Sequence, residues 1–107
     1  MLTNGTYAAR FKTGKGEGAG IIVLSDGKIR GGDAAILYLG TYSQDGNDLK
    51  ANVQTRRHTP GLPSVFGLDE VSITLSGKST GLKAVCTGVS PQAPGVNLTA
   101  ELEYLSD

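Results

Sequence analysis

The sequence has no tryptophan, a single cysteine and a single histidine. Each scarcity removes a class of chemistry. Cys86 alone cannot close a disulfide within the chain, whereas small secreted domains usually carry several. With His58 the sole imidazole, set beside Arg56 and Arg57, neither a His-based triad nor a multi-histidine metal site is expected. Charge of one sign is missing too: 10 basic residues balance 10 acidic ones. No global field therefore favours nucleic acid or an anionic membrane, and direct binding to either is not expected. No apolar run approaches the roughly 20 residues that a membrane helix needs. The opening Met-Leu-Thr-Asn-Gly-Thr-Tyr lacks the basic and apolar regions of a signal peptide, which makes a cytoplasmic location the expectation.

Glycine, by contrast, is abundant, with 16 in the 107-residue chain. The stretch GEGAGIIVLSDGKIRGGD, Gly16 to Asp33, holds six of them. A phosphate-binding loop is excluded, because no Gly-Lys followed by Ser or Thr stands at the required spacing from an earlier glycine. A dinucleotide fingerprint is excluded as well, since Gly14, Gly16 and Gly18 alternate and lead into a strand. Alternating glycines leave bare positions on one face of a strand, where it coils sharply or another backbone comes close. No cofactor is expected, and Asp33 after Gly31-Gly32 reads as a turn former that caps backbone amides.

Periodicity is two almost throughout. Tyr7, Ala9 and Phe11 share a face opposite Arg10 and Lys12, and Leu49, Ala51 and Val53 oppose Lys50, Asn52 and Gln54. Val71, Ile73 and Leu75 form a third such face, and Val96, Leu98, Ala100, Leu102 and Tyr104 a fourth. Leu82, Ala84 and Cys86 are expected to share another. Asp26-Gly27 is a hairpin signal, Gln44-Asp45-Gly46-Asn47 a second, and Gly77–Gly81 and Pro91–Gly95 are longer connections. Thr59-Pro60-Gly61-Leu62-Pro63 is the one long break, with room for a single helical turn near 64–68. Strands are expected near 4–12, 17–25, 28–32, 35–43, 48–58, 70–77, 81–89 and 96–105. The expected fold class is therefore all-β: one eight-stranded antiparallel up-and-down barrel over the whole chain, with a two-sheet sandwich as the alternative.

Two strands are apolar on both faces, Ile21-Ile22-Val23-Leu24 and the run from Ala34 to Tyr42. One face belongs to the core, and the other needs cover. A second copy meeting it about a two-fold axis would provide that cover, with Ile22, Leu24, Ile36, Tyr38 and Tyr42 as the expected dimer interface; an internal helix or loop is the alternative cover. The barrel interior is the other candidate site. Tyr7, Phe11, Val53, Ile73, Leu75, Leu98 and Leu102 would line it, and small neighbours (Ala9, Ala51, Ala84, Ala100) leave room for an apolar ligand.

Catalytic residues do not emerge. Cys86 reads as a buried inert thiol without an electropositive partner. Glu101 and Glu103 share the polar face of a strand and read as solvated.

Several residue blocks resemble the GrlR family, small regulators that restrain type III secretion gene expression. Gly16-Glu17-Gly18 opens the second strand and Gly27 closes the hairpin. Gly31-Gly32-Asp33 follows, then Tyr38-x-Gly40, Ser43, Pro63-Ser64-Val65 and Cys86. The match runs from Thr6 to about Leu105. The resemblance implies a lipocalin-like eight-stranded barrel that dimerises and has a partly apolar interior. It also implies regulation by protein–protein contact, the barrel sequestering a transcriptional activator from DNA. An acidic loop marks the family's recognition surface. The matching stretch is Gln44, Asp45, Gly46 and Asn47, followed by Asp48, with Asp45 keeping the acidic character. Two functions are thus expected to compete: a non-enzymatic regulatory binder, or a carrier of a small apolar molecule.

Overall fold

The computed structural model describes residues 1–61 and 64–107; Leu62 and Pro63, which the sequence reading placed in the proline break, lie outside the described residues. Eight strands close into one antiparallel up-and-down barrel, lipocalin-like, each strand bonded to its neighbours in sequence and β8 to β1. The strands are β1 (Gly5–Thr13), β2 (Gly16–Ser25), β3 (Lys28–Gly32), β4 (Ile36–Asp45), β5 (Asp48–Arg57), β6 (Val71–Thr80), β7 (Lys83–Val89) and β8 (Leu98–Ser106). Closure satisfies the hydrogen-bonding edges that an open sheet would expose. No helix occurs among the described residues. At 64–68 the chain makes a turn in which the Gly67 amide donates to the Ser64 carbonyl at 2.9 Å.

Tight turns hold one end of the barrel. At the β2–β3 turn both central residues take positive φ, Asp26 at 51° and Gly27 at 83°, the pattern of a type I′ turn. At the β4–β5 turn only Gly46 does so, at 60°. The expected connection at Gly77–Gly81 is shorter than anticipated. β6 runs through Thr80, and Gly77 serves the sheet: a Cβ there would stand 2.1 Å from the Val85 carbonyl oxygen. Leu82 consequently sits in the turn and is exposed, while Ala84 and Cys86 face inward.

The N-terminal residues fold across this same end. Leu2 is buried, its amide donating to Gln44 Oε1 at 2.7 Å and its carbonyl accepting from Gln44 Nε2 at 3.0 Å. Next to it, the Tyr7 hydroxyl donates to the Thr3 carbonyl and accepts from the Thr3 amide. Tyr7 is fully buried, with its ring edge-on to Tyr104 at 5.4 Å.

Longer loops occupy the opposite end. Phe66 and Ala93 dip in from the β5–β6 and β7–β8 loops and pack on Val71, Ile73 and Leu98. The Thr13 hydroxyl donates to the Val65 carbonyl and ties the first loop to the rim.

Candidate functional site

Inward-facing residues do not fill the barrel. A cavity of about 430 Å³ runs from Leu2 and Leu49 at the turn end to Pro60, Val65 and Phe66 at the loop end. Its walls are predominantly apolar. Phe11, Val53, Ile73, Leu75, Leu98 and Leu102 line it as the sequence placed them, whereas Tyr7 is packed into the core beside the lining. Volume is left because Ala9, Ala51 and Ala100 hold inward positions that larger residues would close.

The mouth has a structural cause. β3 is only five residues long and pairs with β2 over Ile21–Ser25 alone. Beyond that, Gly16–Gly20 of β2 bond only to β1 and leave a gap in the wall. The gap is rimmed by Glu17, Gly18 and Ala19, by Asp33–Ala35 of the β3–β4 turn, and by Pro60, Gly61 and Ser64. Inward-facing Gly18 leaves the rim bare, whereas Gly20 closes against the wall, where a Cβ would meet the Gly32 carbonyl oxygen at 2.6 Å and Tyr38 Cε2 at 2.9 Å.

Asp33 organises the mouth. Its Oδ1 accepts from the amides of Ala35 (2.8 Å) and Ile36 (2.7 Å), and its Oδ2 from the Tyr38 hydroxyl at 2.5 Å. The expected amide-capping role is what the turn contains. Partial burial pushes the Asp33 carboxyl up, but the hydrogen bonds from Tyr38, Ala35 and Ile36, helped by the His58 charge, outweigh it. The net pKa lies below the usual carboxylate value. Burial first, and then the hydrogen bond and charge of Asp33, push the Tyr38 phenol far up. His58 turns away from the cavity, its Nδ1 paired with Thr59 Oγ1 and its Nε2 with the Asp33 carbonyl oxygen.

A pH dependence follows. A carboxyl whose pKa falls on folding stabilises the native state above its unfolded value of about 3.9, and that contribution fades as pH drops through the folded pKa. Asp33→Ala is expected to cost about 2 kcal/mol at neutral pH through its lost hydrogen bonds. The difference from wild type should shrink in melts below about pH 4. An equal penalty at pH 3 and pH 7 would show that ionised Asp33 contributes nothing.

The expected dimer residues need correction. Ile22, Leu24, Ile36 and Tyr38 are 2–6% exposed and face the interior; Tyr42 packs half-buried against the same core. The outward residues of the two strands are in the opposite phase: Ile21 (47% exposed), Val23 (43%) and Leu39 (43%), with Leu37 half-buried. Cross-strand register aligns them, Ile21 with Gly32 and Leu37, and Val23 with Arg30 and Leu39. The sequence held the signal for this phase. The two-residue turn pairs Leu24 with Ile29, and Ile29, between Lys28 and Arg30, has to face inward.

The Gln44–Asp48 hairpin lies at the end opposite the mouth. Asp45, Gly46, Asn47 and Asp48 are exposed, but the Gln44 amide is clasped to Leu2, and Asn47 Oδ1 accepts from the Met1 nitrogen. Glu103 lies 3.7 Å from Lys83 on the outer wall, and Glu101 is exposed there. Burial pushes the Cys86 thiol up, so it stays protonated and unreactive near neutrality.

Among the described residues, no group of three or more His, Cys, Asp or Glu side chains could hold a metal ion. The same residues contain no helix long and apolar enough to cross a membrane. Glu17, Asp33 and the Leu2 plug were not picked out from the sequence as cavity residues. Their roles arise from closure, which brings residues far apart in the chain to one opening. Comparison with known proteins finds no matching family model and no matching curated protein.

Proposed function

We propose that this chain is a non-enzymatic binding barrel that accommodates one apolar molecule in its interior. The supporting observation is the 430 Å³ cavity, apolar along its walls and open at one mouth. That volume is within the roughly 300–1,000 Å³ usual for small-molecule sites. A catalytic reading has less support. General acid–base work near neutral pH needs a group poised near pH 7, whereas Asp33 is held below the carboxylate range and Tyr38 far above neutrality.

The test is binding of a neutral solvatochromic dye, Nile red, to wild type and to Ala51→Phe. Ala51 faces the cavity, so a phenyl ring there would occupy it. Dye fluorescence should rise and shift blue with wild type, and affinity should fall at least about tenfold in the variant. Absence of dye binding by the folded wild type, or equal binding by a folded variant, would count against the reading.

A second reading, regulation by protein contact of the kind the GrlR resemblance implies, is favoured by the outward apolar row. Ile21, Val23 and Leu39 are exposed on adjacent parts of one wall, and a second copy would cover them. The Asp45–Asp48 end would remain free for a different partner, such as a transcriptional activator. Sedimentation should report a dimer that Leu39→Glu weakens at least about tenfold. A wild-type monomer at all accessible concentrations would remove the self-association half of this reading.

A further inference from the structure

We propose that the mouth selects the head of the bound molecule: a single-chain amphiphile ending in an uncharged or cationic hydrogen-bond donor, an alcohol or an amine, and not a fatty-acid carboxylate. This inference rests on the cavity reading above. Asp33 is the charged side chain turned to the mouth; Glu17 borders it from the outward face of β2, 73% exposed, and no Lys, Arg or His lines the cavity among the described residues. The other hydroxyl-bearing lining residues are Tyr38, Tyr42, Thr55 and Ser64; Tyr42 lies toward the turn end, and Thr55 accepts from the Val71 amide and keeps its own proton. Tyr38 has committed its hydroxyl proton to Asp33, and Ser64 its hydroxyl proton to the Leu68 carbonyl. Each therefore offers an incoming head group only an acceptor. A carboxylate has about four acceptor positions, and three donors occupy Asp33. Apart from the Thr55 hydroxyl proton, the side chains of the mouth thus offer acceptors, and Asp33 makes it negative.

The nearby cations lie outside the lining, among them Lys15, whose Nζ stands beside Gly67 on the loop that carries Ser64. Lys12 stands 3.6 Å from Glu17 in a solvent-exposed pair, which water and salt screen. It leaves the more enclosed Asp33 as the dominant charge. Arg57 lies outside the lining, its Nε on Asp69 at 2.6 Å and its Nη1 on the Thr59 carbonyl at 3.2 Å. His58 is likewise turned to Thr59 and to the Asp33 carbonyl oxygen. A ligand carboxylate entering beside Asp33 would lose its hydration and meet acceptors and a like charge. An amine or alcohol would find acceptors for its protons.

The experiment displaces Nile red from wild-type protein at neutral pH with dodecylamine, dodecan-1-ol and dodecanoate, each below its aggregation threshold. The amine and the alcohol should displace the dye at concentrations at least about tenfold lower than dodecanoate. Asp33→Asn keeps the acceptor for the two amides while removing the charge, and should narrow the amine-to-carboxylate gap to about threefold or less. Dodecanoate binding as well as the amine would overturn the inference and leave the cavity reading standing. Failure of the dye and all three dodecyl compounds to bind would bring down both. An unchanged gap in Asp33→Asn would remove Asp33 as the selecting group. The wild-type comparison decides the matter even if that variant does not fold.

Discussion

Gly40→Ala is expected to destabilise the barrel by about 3 kcal/mol or more, enough to leave a small domain largely unfolded under mild denaturant. Gly40 faces inward in the middle of β4. A Cβ built on it would stand 2.1 Å from the Asn52 carbonyl oxygen and 3.0 Å from Val53 Cα. Those neighbours are backbone atoms of the paired strand β5, so no side-chain rotation relieves the clash. Relief would require β4 and β5 to separate, at the cost of ladder hydrogen bonds in a closed sheet. Gly31 and Gly77 are similar inward positions, with a Cβ 2.0 and 2.1 Å from the neighbouring strand's backbone. Bare positions of this kind let strands coil tightly enough to close. The control is Gly14→Ala. Nothing lies within 4 Å of a Cβ there, and φ is not positive. That change should be neutral or stabilise by a few tenths of a kcal/mol, by restricting the unfolded chain. Urea unfolding of the two variants checks the contrast. Similar midpoints for both would show that the close approach at Gly40 is not what the glycine serves.

Tyr7→Ala is expected to cost about 3–5 kcal/mol, the range for removing a large buried aromatic. Tyr7 is the largest of the completely buried side chains together with Phe66, and it joins two parts of the molecule. Its ring meets Tyr104 edge-on across the β1–β8 seam, where the barrel closes. Its hydroxyl holds the Thr3 backbone through both the amide and the carbonyl, and so anchors the segment that seats Leu2. The two roles separate experimentally. Tyr7→Phe keeps the ring contact and should cost about 1 kcal/mol. In that variant the Thr3 amide should lose hydrogen-exchange protection while the β1–β8 seam keeps its own. Thermal melts give the first comparison and amide exchange the second. A Tyr7→Phe variant as unstable as Tyr7→Ala would place the stabilisation in the hydroxyl, contrary to the packing seen here.

Much of this architecture is legible residue by residue. Tyr7, Ala9 and Phe11 alternate with charged neighbours, and so do Leu49, Ala51 and Val53; water decides their facing before any tertiary contact forms. Asp26-Gly27 accepts the positive φ of a tight turn, which fixes where β2 ends and β3 begins. Where both faces are apolar the pattern loses its phase. Ile21-Ile22-Val23-Leu24 and Ile36-Leu37-Tyr38-Leu39 give no polar residue to mark the outside, so alternation within them permits either facing. Gly77 was equally ambiguous, since a glycine can make a turn or let a neighbouring backbone pass. Only the register with β7 separates the two.

Local sequence determined the secondary structure, the strand count and most of the inward faces, because alternation and turn dihedrals depend on residues adjacent in the chain. The phase of β2 and β4 needed the register across the Asp26-Gly27 turn, and the tertiary structure alone decided the depth of the cavity and the composition of its mouth. Those depend on how far β3 falls short of its neighbours once the sheet has closed, and on which distant residues that gap gathers. Glu17, Asp33 and Ser64 become one site through closure, a nonlocal property that the two-residue repeat does not encode.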